Sequence, residues 1–173
     1  MRRGMTRGGI VVGAVRTLVV GATLTLGAPA AVWAQARPDF SGTWRFNQAK
    51  SSPNIAGNTP NIPFPSQIVV VQTATELSVA STSVRQQPVS AAYPLDGKTV
   101  TVQVPSGITE TGAARFEGAG VVITSRRSFS SPAGDTVVEF REVWRLSGSA
   151  LTIEKTRTQE GESTSETAVF DKM

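Results

Sequence analysis

After residue 40 the chain never sustains a helical period. It runs instead as short segments rich in Val, Thr, Ile and Ser, apolar alternating with polar. That alternation buries one face of a strand and leaves the other wet. It predicts strands at Gly42–Phe46, Gln67–Thr73, Leu77–Arg85, Pro88–Leu95, Thr99–Val104, Ala113–Glu117, Val121–Phe129, Thr136–Leu146, Ala150–Thr158 and Ser163–Phe170. The breaks between them carry turn chemistry: Asp96-Gly97, Gly118-Ala119-Gly120, Pro132-Ala133-Gly134, Gly148-Ser149 and Glu160-Gly161. Short strands joined by tight turns pair antiparallel with their neighbours. The expected fold is therefore all-β, an antiparallel up-and-down barrel of about eight to ten strands.

A different kind of segment precedes the strands. Arg2, Arg3, Arg7 and Arg16 stand at the start with no acid among them, and the apolar stretch Thr17–Ala28 follows. Pro29 then breaks any helix. Small residues frame two cut sites, Val32-Trp33-Ala34 and Ala34-Gln35-Ala36. This order predicts a signal peptide over residues 1–36, cleaved after Ala34 or Ala36, and a periplasmic or secreted mature protein over residues 37–173. The apolar stretch is too short to span a bilayer, so no stable membrane insertion is expected after cleavage.

Cleavage changes the charge argument. Removing residues 1–34 takes four arginines and no acid, which leaves 13 basic against 13 acidic residues. A neutral domain has no electrostatic case for nucleic acid. The chain holds no cysteine and no histidine. Disulfides, thiol chemistry, serine–histidine catalysis and the usual metal and haem ligands are thereby excluded. No enzyme, cofactor or metal site is expected. Carboxylates, lysine and the single tyrosine, Tyr93, remain, with no motif behind them.

One connection is long. Asn47–Ser66 contains Pro53, Pro60, Pro63 and Pro65, so it is no strand, yet Ile55, Ile62 and Phe64 give it something to bury. It reads as a strap over the barrel or as a plain surface loop.

The C-terminal strands allow a register argument. One face of Thr136–Leu146 carries Val138, Phe140, Glu142, Trp144 and Leu146, with Glu142 the exception among apolar side chains. A two-residue Gly148-Ser149 turn places Leu146 opposite Leu151, Trp144 opposite Ile153 and Glu142 opposite Lys155. The next turn places Lys155 opposite Glu166, Ile153 opposite Ala168 and Leu151 opposite Phe170. Apolar meets apolar, and Glu142, Lys155 and Glu166 form one inward row. The same counting puts Arg127 opposite Val138 and Arg157 opposite Phe140, both facing inward. Two roles stay open for these charges. They form a structural ion-pair network, or a polar patch in which Arg127 and Arg157 receive an acidic head group.

Asp39-Phe40-Ser41-Gly42-Thr43-Trp44 opens the folded region, and its Gly-x-Trp resembles the first strand of lipocalins and related calycin barrels. The fuller set is similar to exported bacterial lipocalin-like proteins of unassigned function. It comprises Leu95–Lys98, Glu142–Ser147 with its Glu-x-Trp-x-Leu-Ser pattern, and Phe170–Lys172. The lipocalin Thr-Asp-Tyr motif is absent. The resemblance implies a barrel with room for a small apolar ligand, its end closed by Trp44 under an arginine, for which Arg145 is the candidate. Trp144 is the second structural tryptophan. The expected function is exported binding or carriage of a small amphipathic or acidic lipid-like ligand by a monomer. The alternative is a structural or protein-interaction module whose barrel is filled by side chains.

Overall fold

The computed structural model describes residues 37–52, 64–83, 86–104, 108–131 and 134–173. The signal segment, with Ile55 and Ile62 of the long connection, lies outside these residues. Ten strands follow in order: β1 (Gly42–Phe46), β2 (Gln67–Gln72), β3 (Glu76–Ser83), β4 (Gln86–Pro94), β5 (Val100–Val102), β6 (Thr109–Glu117), β7 (Gly120–Ser131), β8 (Gly134–Ser147), β9 (Ala150–Gln159) and β10 (Glu162–Lys172). All pair antiparallel in one sheet of order β4-β3-β2-β1-β10-β9-β8-β7-β6-β5. The sheet curls until its two outer strands meet at a single bridge, Ser90 opposite Gln103. The result is an up-and-down barrel, closed between β1 and β10 and nearly closed between β4 and β5. None of the described helices is long and apolar enough to cross a membrane.

The registers follow the turns. Ser147 pairs with Ala150, Thr158 with Ser163 and Ser130 with Asp135, as the hairpin loops dictate. The β7–β8 and β8–β9 ladders run without a slip, so Glu142 keeps its place on the inward face. A slip of one residue would send Trp144, Ile153 and Phe170 to solvent. All three are buried instead.

One core fills the barrel. Phe40, Trp44, Leu77, Val121, Leu151 and Phe170 are fully or almost fully buried within it. Phe40 meets Trp144 edge to face at 6.2 Å, and Phe46 meets Phe170 at 5.6 Å. Trp44 donates its indole N–H to the Phe40 carbonyl at 2.9 Å. The cation over its ring is Lys172, its direct cross-strand neighbour, with the ammonium 5.3 Å from the ring centre. Arg145, the expected arginine, is exposed and faces Glu154 at 3.9 Å instead. The geometry also explains the glycine of the Gly-Thr-Trp start. Gly42 has φ of 142°, and a Cβ there would stand 2.8 Å from Lys172 Cε. Glycine gives the lysine stem room beside the tryptophan.

The start of the long connection has a definite task. β1 pairs only with Phe170, Asp171 and Lys172 of the eleven-residue β10, so most of the β10 edge has no strand beside it. Residues 47–52 cover the stretch of it at Thr167 and Val169. Asn47 N donates to Val169 O, and Ser52 N donates to Thr167 O. In return, Val169 N donates to Ser51 Oγ and Thr167 N to Ser52 Oγ. Serine hydroxyls thus take the place of a strand's carbonyls on a half-buried edge. At its far end the same connection packs Phe64 against the core.

Candidate functional site

Inward side chains stack in rows across β6 to β10. Next to the apolar row Leu146, Leu151 and Phe170 stand Phe116, Val121, Trp144, Ile153 and Ala168, all apolar. The next is Ala114, Ile123, Glu142, Lys155, Glu166, followed by Gly112, Ser125, Phe140, Arg157, Thr164. Beyond it stand Glu110, Arg127 and Val138. The barrel therefore passes from an apolar floor to a charged middle.

A cavity of about 160 Å³ lies within that middle. Ile68, Ile123, Ile153, Trp144, Phe64 and Phe140 supply apolar wall, while Tyr93, Glu110, Arg127, Glu142 and Lys155 supply polar groups. A wider hollow of about 520 Å³ lies on the outer face around Thr111, Thr124, Arg126, Glu139 and Arg141. It is open to solvent, and its charged side chains are exposed, so the interior cavity is the better candidate.

The expected row of charges exists, with a particular wiring. Lys155 Nζ lies 2.9 Å from Glu142 Oε1, and the Trp144 indole N–H donates to Glu142 Oε2 at 2.9 Å. The Lys155 ammonium also stands over the Phe140 ring at 4.8 Å and the Phe64 ring at 5.8 Å. Glu166 sits opposite Lys155 yet is not part of the cavity wall. It is 3% exposed, and neither carboxylate oxygen has a hydrogen-bond partner among the described residues.

Two site residues escaped the sequence reading. Glu110 pairs with Arg127, whose Nε and Nη2 both donate to Glu110 Oε2, at 2.9 and 2.6 Å. The polar start of β6, Thr109-Glu110-Thr111-Gly112, hides the alternation. Extended back from the Gly118-Ala119 turn, the same counting places Glu110 opposite Arg127. Tyr93, noted only as the single tyrosine, lines the cavity from β4. Its ring lies against Gly112, where a Cβ would come within 2.7 Å of Tyr93 Cε1.

The structure does not bring the expected head-group pair together at the cavity. Arg127 lines the cavity but is already engaged by Glu110. Arg157 is not among the lining residues, and its guanidinium donates to Gln159 on its own strand. Phe140, Glu142 and Lys155 line the cavity as expected.

Burial first, then the negative charges of Glu142 and Glu110, hold the Tyr93 phenol well above the ordinary tyrosine value; Arg127 opposes them weakly. A raised phenol favours the fold fully below the unfolded value of 10.0, and that contribution is lost as pH rises above it. With one tyrosine in the chain, tyrosinate absorbance reports this group alone. The folded protein is expected to stay silent through the range where the urea-unfolded protein titrates. Coincident curves would mean that the phenol is open to water.

No family model matches the chain, and no curated protein matches it. Solved structures do. The chain is similar to a zebrafish ileal bile acid-binding protein complexed with cholic acid, at a TM-score of 0.54 and 14% identity, over 78% of this chain and 98% of that one. It is also similar to a secretary abundant heat soluble protein from Ramazzottius varieornatus, at a TM-score of 0.52 and 10% identity, over 78% of this chain and 95% of the other. At such identities the likeness is one of fold, and that fold is the lipocalin-like up-and-down barrel.

Proposed function

We propose that this chain is an exported, non-enzymatic carrier of a small amphipathic ligand, working as a monomer and related to exported bacterial lipocalin-like proteins. The observation that carries the reading is the interior cavity: an apolar hollow with a few convergent polar groups. The zebrafish neighbour, complexed with cholic acid, supports carriage by this kind of barrel. The size of the hollow sets the scale of the ligand. At about 160 Å³ it falls below the roughly 300–1,000 Å³ of drug-sized sites. It matches the cavity of about 150 Å³ that takes up benzene. The ligand is then one ring or a short chain, unless Phe64 and Pro65 move aside. The same small volume favours the alternative of a filled scaffold barrel. A non-enzymatic role fits the cavity carboxylates, since Glu110 and Glu142 are both engaged by neighbouring bases.

Native mass spectrometry of protein purified from its own host tests the proposal. The expected species begins at Gln35 or Arg37 and carries a small adduct. Ala91→Phe, which fills the cavity from β4, should lack it. A mass that retains residues 1–33 would overturn export. Wild-type protein free of any adduct would overturn carriage and leave the scaffold.

A further inference from the structure

The polar wall of the cavity is balanced in charge but not in hydrogen bonds. Arg127 and Lys155 bring two positive charges, and Glu110 and Glu142 bring two negative ones. Each cation is already engaged. Arg127 Nε and Nη2 donate to Glu110, and Lys155 holds Glu142, whose second oxygen takes the Trp144 N–H. An incoming carboxylate would meet as much repulsion as attraction. Taking Arg127 for itself would strand Glu110, which is only 7% exposed, as an uncompensated buried charge. An incoming ammonium ion would compete for Glu142 with Lys155, whose side chain is only 17% exposed.

Tyr93 is a neutral donor in this wall. It is 7% exposed and lines the cavity, yet its hydroxyl makes no hydrogen bond to any described residue. Among the described residues, the fully buried side-chain atoms without a partner are the Glu166 carboxylate oxygens, so the Tyr93 hydroxyl reaches open space rather than packed core. The phenol keeps its proton, for the reasons of burial and neighbouring carboxylates given above. It is therefore a donor in search of an acceptor. Its placement is built into the fold, since Gly112 leaves no side chain where the ring lies.

We propose that the cavity selects a neutral, ring-sized molecule whose carbonyl or similar acceptor takes the Tyr93 hydroxyl, and that it rejects carboxylates and ammonium-like cations of the same shape. This rests on the reading of the chain as a carrier.

Benzamide, benzoate and benzamidinium share one shape and differ in charge; toluene is the apolar control. Calorimetric titration of the mature protein and of Tyr93→Phe separates the terms. Benzamide is expected to bind at least about tenfold tighter than benzoate or benzamidinium. Tyr93→Phe should weaken benzamide about five- to tenfold, the size of one hydrogen bond. Toluene should be unaffected, which also shows that the variant keeps its cavity. Benzoate equal to benzamide, or benzamide indifferent to Tyr93→Phe, would overturn the selectivity. Toluene bound without any preference among the other three would do the same while leaving the carrier standing. Failure of all four probes to bind, joined to adduct-free protein from the host, would overturn the carrier reading itself.

Discussion

Trp44→Ala is expected to cost the fold about 3–5 kcal/mol, as truncation of a large core aromatic does. Three losses combine. The indole is 1% exposed, so its removal opens a hole beside Phe40. The Phe40 carbonyl loses its donor, and a buried acceptor without a partner is costly. Lys172 loses the ring beneath its ammonium. Trp44→Phe separates these effects. It keeps an aromatic ring and removes the N–H, and should cost about 1–2 kcal/mol. Denaturant melts of the three proteins measure both steps. A loss under about 1 kcal/mol for the alanine variant would be that of a surface residue, and would move Trp44 out of the core.

The strands and their registers were legible because this fold is built from neighbours in sequence. A two-residue turn and a period of two fix the register of a hairpin with no knowledge of the rest. Hence Glu142, Lys155 and Glu166 could be placed in one row by counting, and the ladders agree. Pairing of the first strand with the last has no turn to set it. That is why Lys172, the true neighbour of Trp44, was invisible and Arg145 stood in its place.

The site was less legible than the sheet. Register tells which face a residue occupies, but not where a long side chain ends. Arg157 shows the difference: its strand position is as counted, yet its guanidinium turns to Gln159. Glu110 was lost for another reason. The inward positions at the start of β6 are Glu110 and Gly112, and neither is apolar. The missing bulk at Gly112 is filled by Tyr93 from a strand distant in sequence. A packing requirement from elsewhere in the barrel erased the local pattern, and with it the partner of Arg127.

Lys155→Met should cost about 2–4 kcal/mol, somewhat less than the loss of a wholly buried partner. The discount is set by the side-chain exposures of 17% for Lys155 and 22% for Glu142. Methionine keeps the apolar stem near Phe140 and Phe64, so the effect isolates the charge. Without the ammonium, Glu142 retains only the Trp144 N–H, and Glu166 faces it across the row with no donor of its own. The reverse changes are expected to be milder. Glu142→Gln keeps an acceptor for Trp144 and leaves Lys155 opposite Glu166, for a cost of about 1 kcal/mol. Glu166→Gln removes a buried carboxylate that accepts no hydrogen bond, and should be neutral or stabilising. The double variant Lys155→Met, Glu142→Gln should recover part of the single loss, as coupled neighbours do. Denaturant melts of the four variants decide the order. If Glu166→Gln proves the most costly, that carboxylate, and not the lysine, organises the row. If Lys155→Met stays within about 0.5 kcal/mol of wild type, the ammonium works in water and the charged row is not part of the barrel interior.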